Sequence, residues 1–271
     1  MTQIIRNIKD SVASEKPLIE LRKVTKRFTG VTAVADVSLT VERGKVLCIL
    51  GHNGAGKSTL IKILSGVHPP TEGEMLMDGA SVQLESPRDA LSRGIATVHQ
   101  GAGTIPLMSV ARNFFLGSEP TKGWGPFRRI NSALAARVAL NEISSLGIRR
   151  VADANQLVGT MSGGERQALV IARAMHFGAN VLILDEPTSA LGVRESETVL
   201  RAVESARNRG VGVVLITHQA HHALRVGDQF AVIAHGRLVA SFSRGEKEAA
   251  EVIDLMAGGA SMQQLESEQE A

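Results

Sequence analysis

The stretch Lys45-Val-Leu-Cys-Ile-Leu-Gly51-His-Asn-Gly-Ala-Gly-Lys-Ser58-Thr59-Leu-Ile-Lys-Ile-Leu-Ser65 decides the fold. Its first six residues are an almost unbroken apolar run, the pattern of a strand covered on both faces by helices. Residues 51–58 fit G-x-x-x-x-G-K-S, and Thr59 to Ser65 reads as a helix. Strand, glycine-rich turn and helix in that order make a phosphate cradle. The glycines let the backbone wrap with its N–H groups inward, and the helix adds the positive end of its dipole. In such a loop Gly51, His52, Asn53, Gly54, Ala55 and Gly56 surround the phosphates, Lys57 reaches the β- and γ-phosphates, and Ser58 supplies a hydroxyl for Mg²⁺ beside Thr59.

Two further apolar runs, Val181-Leu-Ile-Leu184 and Val211-Gly-Val-Val-Leu-Ile-Thr217, flank a helical pattern from Glu195 to Arg209. Strand, helix, strand at this spacing is a βαβ unit with a right-handed crossover, so the sheet is mostly parallel. The first run ends in Asp185-Glu186, and a parallel strand delivers its C-terminal end to the ligand-binding edge of the sheet. Alone, paired acids after a strand are a polar loop. Beside a phosphate loop, Asp185 suits the metal shell and Glu186 suits orienting the attacking water and accepting its proton.

Two stretches depart from that rhythm. Residues 18–44 alternate in the manner of an antiparallel sheet with one wet face. Residues 101–160 are punctuated by Gly and Pro and then turn helical from about Asn131 to Leu146, which reads as a helical insertion. The expected architecture is therefore α/β: a P-loop core with a mostly parallel sheet, an N-terminal antiparallel β subdomain and an inserted α-helical subdomain. Residues 1–17 form an extension, 18–245 the catalytic domain with its insertion at about 101–177, and 246–271 a short helix and acidic tail.

Composition narrows the function. The chain has 271 residues, 44% apolar, enough for a sizeable core. Aromatics are only 3%, with no Tyr, so stacking against sugars or bases is not its main activity. A single cysteine, Cys48, excludes an intrachain disulfide and a cysteine-built metal site. The formal charge is +3, and basic residues fall in dispersed pairs such as Arg22-Lys23 and Arg128-Arg129 rather than a nucleic-acid stripe. No apolar run approaches the ~20 residues of a membrane span, and the N-terminus lacks a signal-peptide core.

Four more markers complete an ordered set. Gln100 closes the run Ile95-Ala-Thr-Val-His-Gln100, Ser162-Gly163-Gly164-Glu165 opens a helical segment, His218 follows the strand ending at Thr217, and Phe28 lies upstream of the phosphate loop. With these, residues 18 to 245 resemble the nucleotide-binding subunit of an ATP-binding cassette (ABC) transporter. Met161-Ser-Gly-Gly-Glu165 is similar to the signature motif, Gln100 to the Q-loop glutamine, His218 to the switch histidine and Phe28 to the aromatic that stacks on adenine. Two positions depart from the family: Glu165 stands where Gln is commonest, and Gly192 replaces the usual Asp of the D-loop in Ser189-Ala-Leu-Gly192. The first is expected to be tolerated; the second bears on communication between sites.

The resemblance implies an ATPase that uses ATP and Mg²⁺, with Lys57, Gln100, Glu186 and His218 catalytic and Ser58, Gln100 and Asp185 around the metal. It implies two cassettes per working unit, since Ser162, Gly163 and Gly164 serve the facing subunit's ATP. It also implies transmembrane permease subunits met near Pro106 to Asn113, an extracytoplasmic sugar-binding protein reached indirectly, no nucleic acid, and a place on the cytoplasmic face of the membrane. Pro187-Thr-Ser-Ala-Leu-Gly192, His221-His-Ala-Leu-Arg-Val-Gly-Asp228 and Trp124-Gly-Pro-Phe-Arg-Arg129 resemble single-cassette importers of simple sugars. A cassette for another cargo or for export, or a soluble non-transport cassette, shares the same ATP chemistry.

Overall fold

A computed structural model of the chain describes residues 16–99, 103–148 and 150–258. Its strands are β1 (Ile19–Phe28), β2 (Val31–Val41), β3 (Val46–Leu50), β4 (Glu72–Met77), β5 (Ala80–Val82), β6 (Ile95–Val98), β7 (Thr121–Lys122), β8 (Arg129–Ile130), β9 (Val181–Asp185), β10 (Gly212–Thr217), β11 (Gln229–Ala234) and β12 (Arg237–Ser243). Its α-helices are α1 (Lys57–Leu64), α2 (Pro87–Ser92), α3 (Val110–Phe114), α4 (Ser132–Ser145), α5 (Gly163–His176), α6 (Val193–Asn208), α7 (Ala220–Val226) and α8 (Ala249–Met256).

The central sheet has the order β12-β11-β3-β10-β9-β6, parallel throughout except for the antiparallel edge pair β11–β12. Strands β3, β9 and β10 are the three apolar runs of the sequence, and nearly every residue in them is buried. Such strands have no wet face, so helices must cover both sides. One layer packs Leu50, Leu184 and Leu215 against α5 and α6; the other packs Ile49, Ile183 and Ile216 against α1 and the second sheet.

That second sheet is antiparallel, in the order β2-β1-β4-β5. The alternation of residues 18–44 accounts for β1 and β2, while β4 and β5 extend the sheet through an Asp78-Gly79 turn in which both residues have positive φ. Paired positive φ at a two-residue loop is the geometry that twisted strands favour. The helix expected from about Asn131 is α4, capped by the Asn131 side chain, which accepts from the Leu134 amide at 3.2 Å. The helix expected in 246–271 is α8; the rest of the tail, from residue 259, lies outside the described residues. So do Gln100 and most of the 1–17 extension.

Register brings the chemistry together. Leu50 pairs with Thr217, and Asp185 with Ile216, so β3, β9 and β10 end at one edge of the sheet. Residues 51–58, 185–186 and 218 all leave from that edge.

Candidate nucleotide site

The loop after β3 is pinned from below. A Cβ placed on Gly51 would lie 2.2 Å from the Ile233 carbonyl, closer than real Cβ atoms come, and its φ is +150°. Among the described residues, the amides of Gly54, Gly56, Lys57 and Ser58 have no acceptor within the protein. An array of uncommitted N–H groups at a helix start is what an anion requires. Lys57 is buried, and its ammonium donates to the carbonyls of Gly51 at 2.5 Å and His52 at 2.9 Å. Burial lowers its pKa, while the charges of Glu186 and Asp185 oppose that shift.

These groups line a cleft of about 680 Å³, large enough for a small-molecule ligand. His52, Asn53, Gly54, Gly56, Lys57, Ser58 and Thr59 form its floor, and Asp185 and Glu186 one wall. The other wall is Val31 to Ala33 of β2 with His235 and Gly236, the turn joining β11 to β12. Sequence reasoning missed this second wall. His235 and Gly236 are a two-residue turn with positive φ at both positions, a hairpin signal visible between two apolar runs. A larger cavity of about 1010 Å³ lies between the two sheets, near Lys23 and Phe242, away from these groups.

Glu186 is the most constrained residue of the site. It sits at φ +48°, its amide donates to the Ile216 carbonyl at 2.9 Å, and its side chain is mostly covered. A left-handed conformation at a non-glycine residue costs on the order of 1 kcal/mol and persists where surroundings impose it. His218 Nδ1 donates to Glu186 Oε1 at 2.8 Å, and the Thr217 hydroxyl donates to Oε2 at 3.4 Å. The carboxylate is thereby oriented, and His218 Nε2 faces away from it. Burial raises the pKa of Asp185, opposed by His99, whose Nδ1 lies 3.7 Å from Asp185 Oδ2; the Glu186 charge pushes it further up. Ser58 and Asp185 line the same cleft, and their hard oxygen donors suit a magnesium ion that keeps several waters. Of the expected metal set, Gln100 lies outside the described residues.

Two predicted groups stand elsewhere. Phe28, at the end of β1, is 42% exposed, with its ring edge-on to His68 at 5.5 Å and Lys26 Nζ 5.4 Å above it. It is not among the residues lining the cleft. Ser162 to Gly164 do not line it either; they open α5. The Ser162 hydroxyl accepts from the Glu165 amide at 3.2 Å, and the Glu165 carboxylate accepts from the Ser162 amide at 2.9 Å. In this capping box the Glu165 carboxylate serves the reciprocal bond as a glutamine would.

The model of the ABC transporter domain matches residues 34–189, more than half of the chain. The chain belongs to the ABC transporter family. Among the curated relatives of this ABC chain is the fructose import ATP-binding protein of Rhizobium meliloti, 37% identical over 90% of this chain and 95% of the relative. The ribose import ATP-binding protein RbsA 1 of Rubrobacter xylanophilus is 41% identical over 84% of this chain, which spans only 44% of that longer relative. A solved ATP-binding cassette, described as dimeric, in a post-hydrolysis state and bound to ADP and phosphate, matches with a TM-score of 0.68 at 25% identity. That match covers 84% of this chain and all of the other. The ABC ATPase domain binds ATP and hydrolyses it, and among the described residues no helix is long and apolar enough to cross a membrane.

Proposed function

We propose that the chain is the ATP-hydrolysing subunit of an importer for a simple sugar, working in pairs at the cytoplasmic face of a membrane. The observation that carries the chemistry is the pair Glu186–His218, locked together beside an amide-lined cleft. The sugar reading is supported by relatives named for fructose and ribose import. Residues 18–245 make up the cassette, with the helical subdomain at about 101–177 inserted in it and residues 246–271 appended.

ATP lies with its phosphates over residues 51–58. The loop amides and Lys57 hold negative charge, and Ser58, Asp185 and Gln100 are the residues that would hold Mg²⁺. Bound there, such an ion would supply positive charge to the phosphates. Glu186 orients the attacking water and accepts its proton, and His218 keeps that carboxylate in place while its Nε2 turns to the γ-phosphate. Phe28 is the aromatic available for adenine. The cassette of a second copy supplies Ser162, Gly163 and Gly164 to the γ-phosphate, where amides and helix dipole stabilise charge. Closure on ATP and release after hydrolysis make turnover a mechanical cycle.

The membrane partner meets the segment before and within α3. Leu107 is 86% exposed there and Ile105 is 42% exposed. Asn113 braces the loop beneath them: its Oδ1 accepts from the Ile105 amide at 2.7 Å and its Nδ2 donates to the carbonyls of Ile105, Met108 and Ser109. The reading is tested by reconstituting the chain with its permease subunits and measuring ATPase activity against a panel of sugar-loaded binding proteins. Stimulation by a simple sugar is expected; stimulation only by an amino acid or lipid cargo overturns it.

A further inference from the structure

Gly192 has no side chain to cap the helix it precedes, and Glu195 does that work from the first turn of α6. Glu195 Oε2 accepts from the Gly192 amide at 3.1 Å. Its other oxygen does something a cap does not require: Oε1 accepts from the Gly163 amide at 2.9 Å, across to the start of α5. One carboxylate therefore joins the D-loop segment to the Ser162–Gly164 segment.

The packing beneath that bridge is close. A Cβ on Gly164 would lie 2.4 Å from the Glu195 carbonyl oxygen and 2.9 Å from its Cα, and a Cβ on Gly163 would lie 2.5 Å from Leu191 Cδ2. The two glycines let the start of α5 seat directly on the start of α6. The amides of Gly192 and Gly163 hold the Glu195 carboxyl below the usual carboxylate range, so the bridge is charged at neutral pH. Glu195 lies nine positions after Glu186, and the link between them runs through Ala190 at φ +60°.

We propose that Glu195 is a positioning residue of the ATPase cycle: its carboxylate fixes Ser162–Gly164 to the D-loop, so that this segment is presented to the facing subunit's ATP at one defined position. The proposal rests on the reading in which that segment completes the site of a second copy. It assigns to Glu195 a task that the absent D-loop acid cannot perform here. The rigidity runs from Glu186 of one copy, through Gly192 and Glu195, to the group that serves the other copy's γ-phosphate.

Two variants test it in the reconstituted transporter. Glu195→Gln keeps the shape but its amide nitrogen cannot accept a second amide. Glu195→Asp keeps the charge but is one methylene too short to span both. Each is expected to lower kcat about tenfold, the effect of one hydrogen bond to a charged group. KM for ATP and the ATP affinity of the isolated chain stay at their wild-type values, and the melting temperature falls only by the few degrees that one lost capping bond costs. Wild-type kcat in either variant overturns the proposal, and so does a parallel loss of ATP affinity and melting temperature, which would mark a role in folding alone. Adding each change to Glu186→Gln separates the two levels. An ATP-dependent dimer of Glu186→Gln that is weakened about tenfold by the second change supports Glu195. An undiminished dimer overturns Glu195 only, and no dimer from Glu186→Gln itself overturns the paired-site reading and Glu195 with it.

Discussion

Replacing Gly51 by Ala strikes the join between β3 and the phosphate loop, and its size can be worked from the geometry. The new methyl would sit 2.2 Å from the Ile233 carbonyl and 3.2 Å from the Ala55 Cβ, where real Cβ atoms do not approach within 3.0 Å. Backbone must therefore move by most of an ångström, because the obstacle is a carbonyl of the neighbouring strand β11. Overpacking of this kind costs about 1–3 kcal/mol. The φ of +150°, which an L side chain resists, adds about 1–3 kcal/mol. The combined effect lowers the melting temperature by about 5–15 °C in a chain of this size. Gly54→Ala is the control, with a positive φ of 84° and nothing within 4 Å of the added carbon. It carries conformational strain alone and should cost about 1–2 kcal/mol. Thermal melts without nucleotide, paired with ATP titrations, decide the matter. Gly51→Ala should lose both stability and ATP affinity, and Gly54→Ala should lose much less stability. Equal and small shifts would refute the claim that Gly51 is fixed by close approach to β11.

Lys57→Ala removes a buried ammonium bonded to two loop carbonyls and is expected to weaken ATP binding about 10- to 100-fold by fluorescence titration, since a charged hydrogen bond contributes about 1.5–3 kcal/mol. Unchanged affinity would remove Lys57 from the site. His222 donates or accepts at Thr188 Oγ1, 3.0 Å away, and burial lowers its pKa, reinforced by His221 and Arg225. Its unfolded form therefore binds a proton more readily, so wild-type stability falls as pH drops through the ordinary histidine range. His222→Gln should lack that loss: its melting temperature should gain on wild type between pH 7.5 and about pH 5.5. A constant difference across that window would contradict the burial argument.

What the sequence disclosed was what is local. The phosphate loop carries its glycines, lysine and serine in eight consecutive residues, and the flanking strand and helix declare themselves by apolar pattern. The run ending in Asp185-Glu186 and the run followed by His218 are each legible alone, and a parallel sheet forces their ends to one edge. That register is why Glu186 and His218, legible only one by one, meet at 2.8 Å. The wall of the cleft opposite was not read, because Val31 to Ala33 and His235-Gly236 are brought there by the docking of one sheet on another. The Ala35 amide donates to the Gly236 carbonyl at 2.8 Å, a contact between residues some two hundred positions apart. Strands β4 and β5 escaped for a different reason: most of their residues are exposed, so no apolar run marks them, although Asp78-Gly79 was available as a turn signal. Glu195 is invisible for the same reason as the cleft wall. In sequence it is one more acid on a charged helix face, and only the seating of α5 on α6 sets it against Gly163.

The central claim is that Glu186 supports hydrolysis in a site completed by a second copy of the cassette. The most direct measurement is the molar mass of Glu186→Gln in solution, with and without Mg²⁺ and ATP, alongside its steady-state ATPase rate. The amide can no longer accept the water's proton, so the rate should fall about 10²- to 10⁴-fold. ATP should still bind, and the mass should double only when it does. A mass that stays at one chain with ATP bound, or a rate like wild type, would contradict the account.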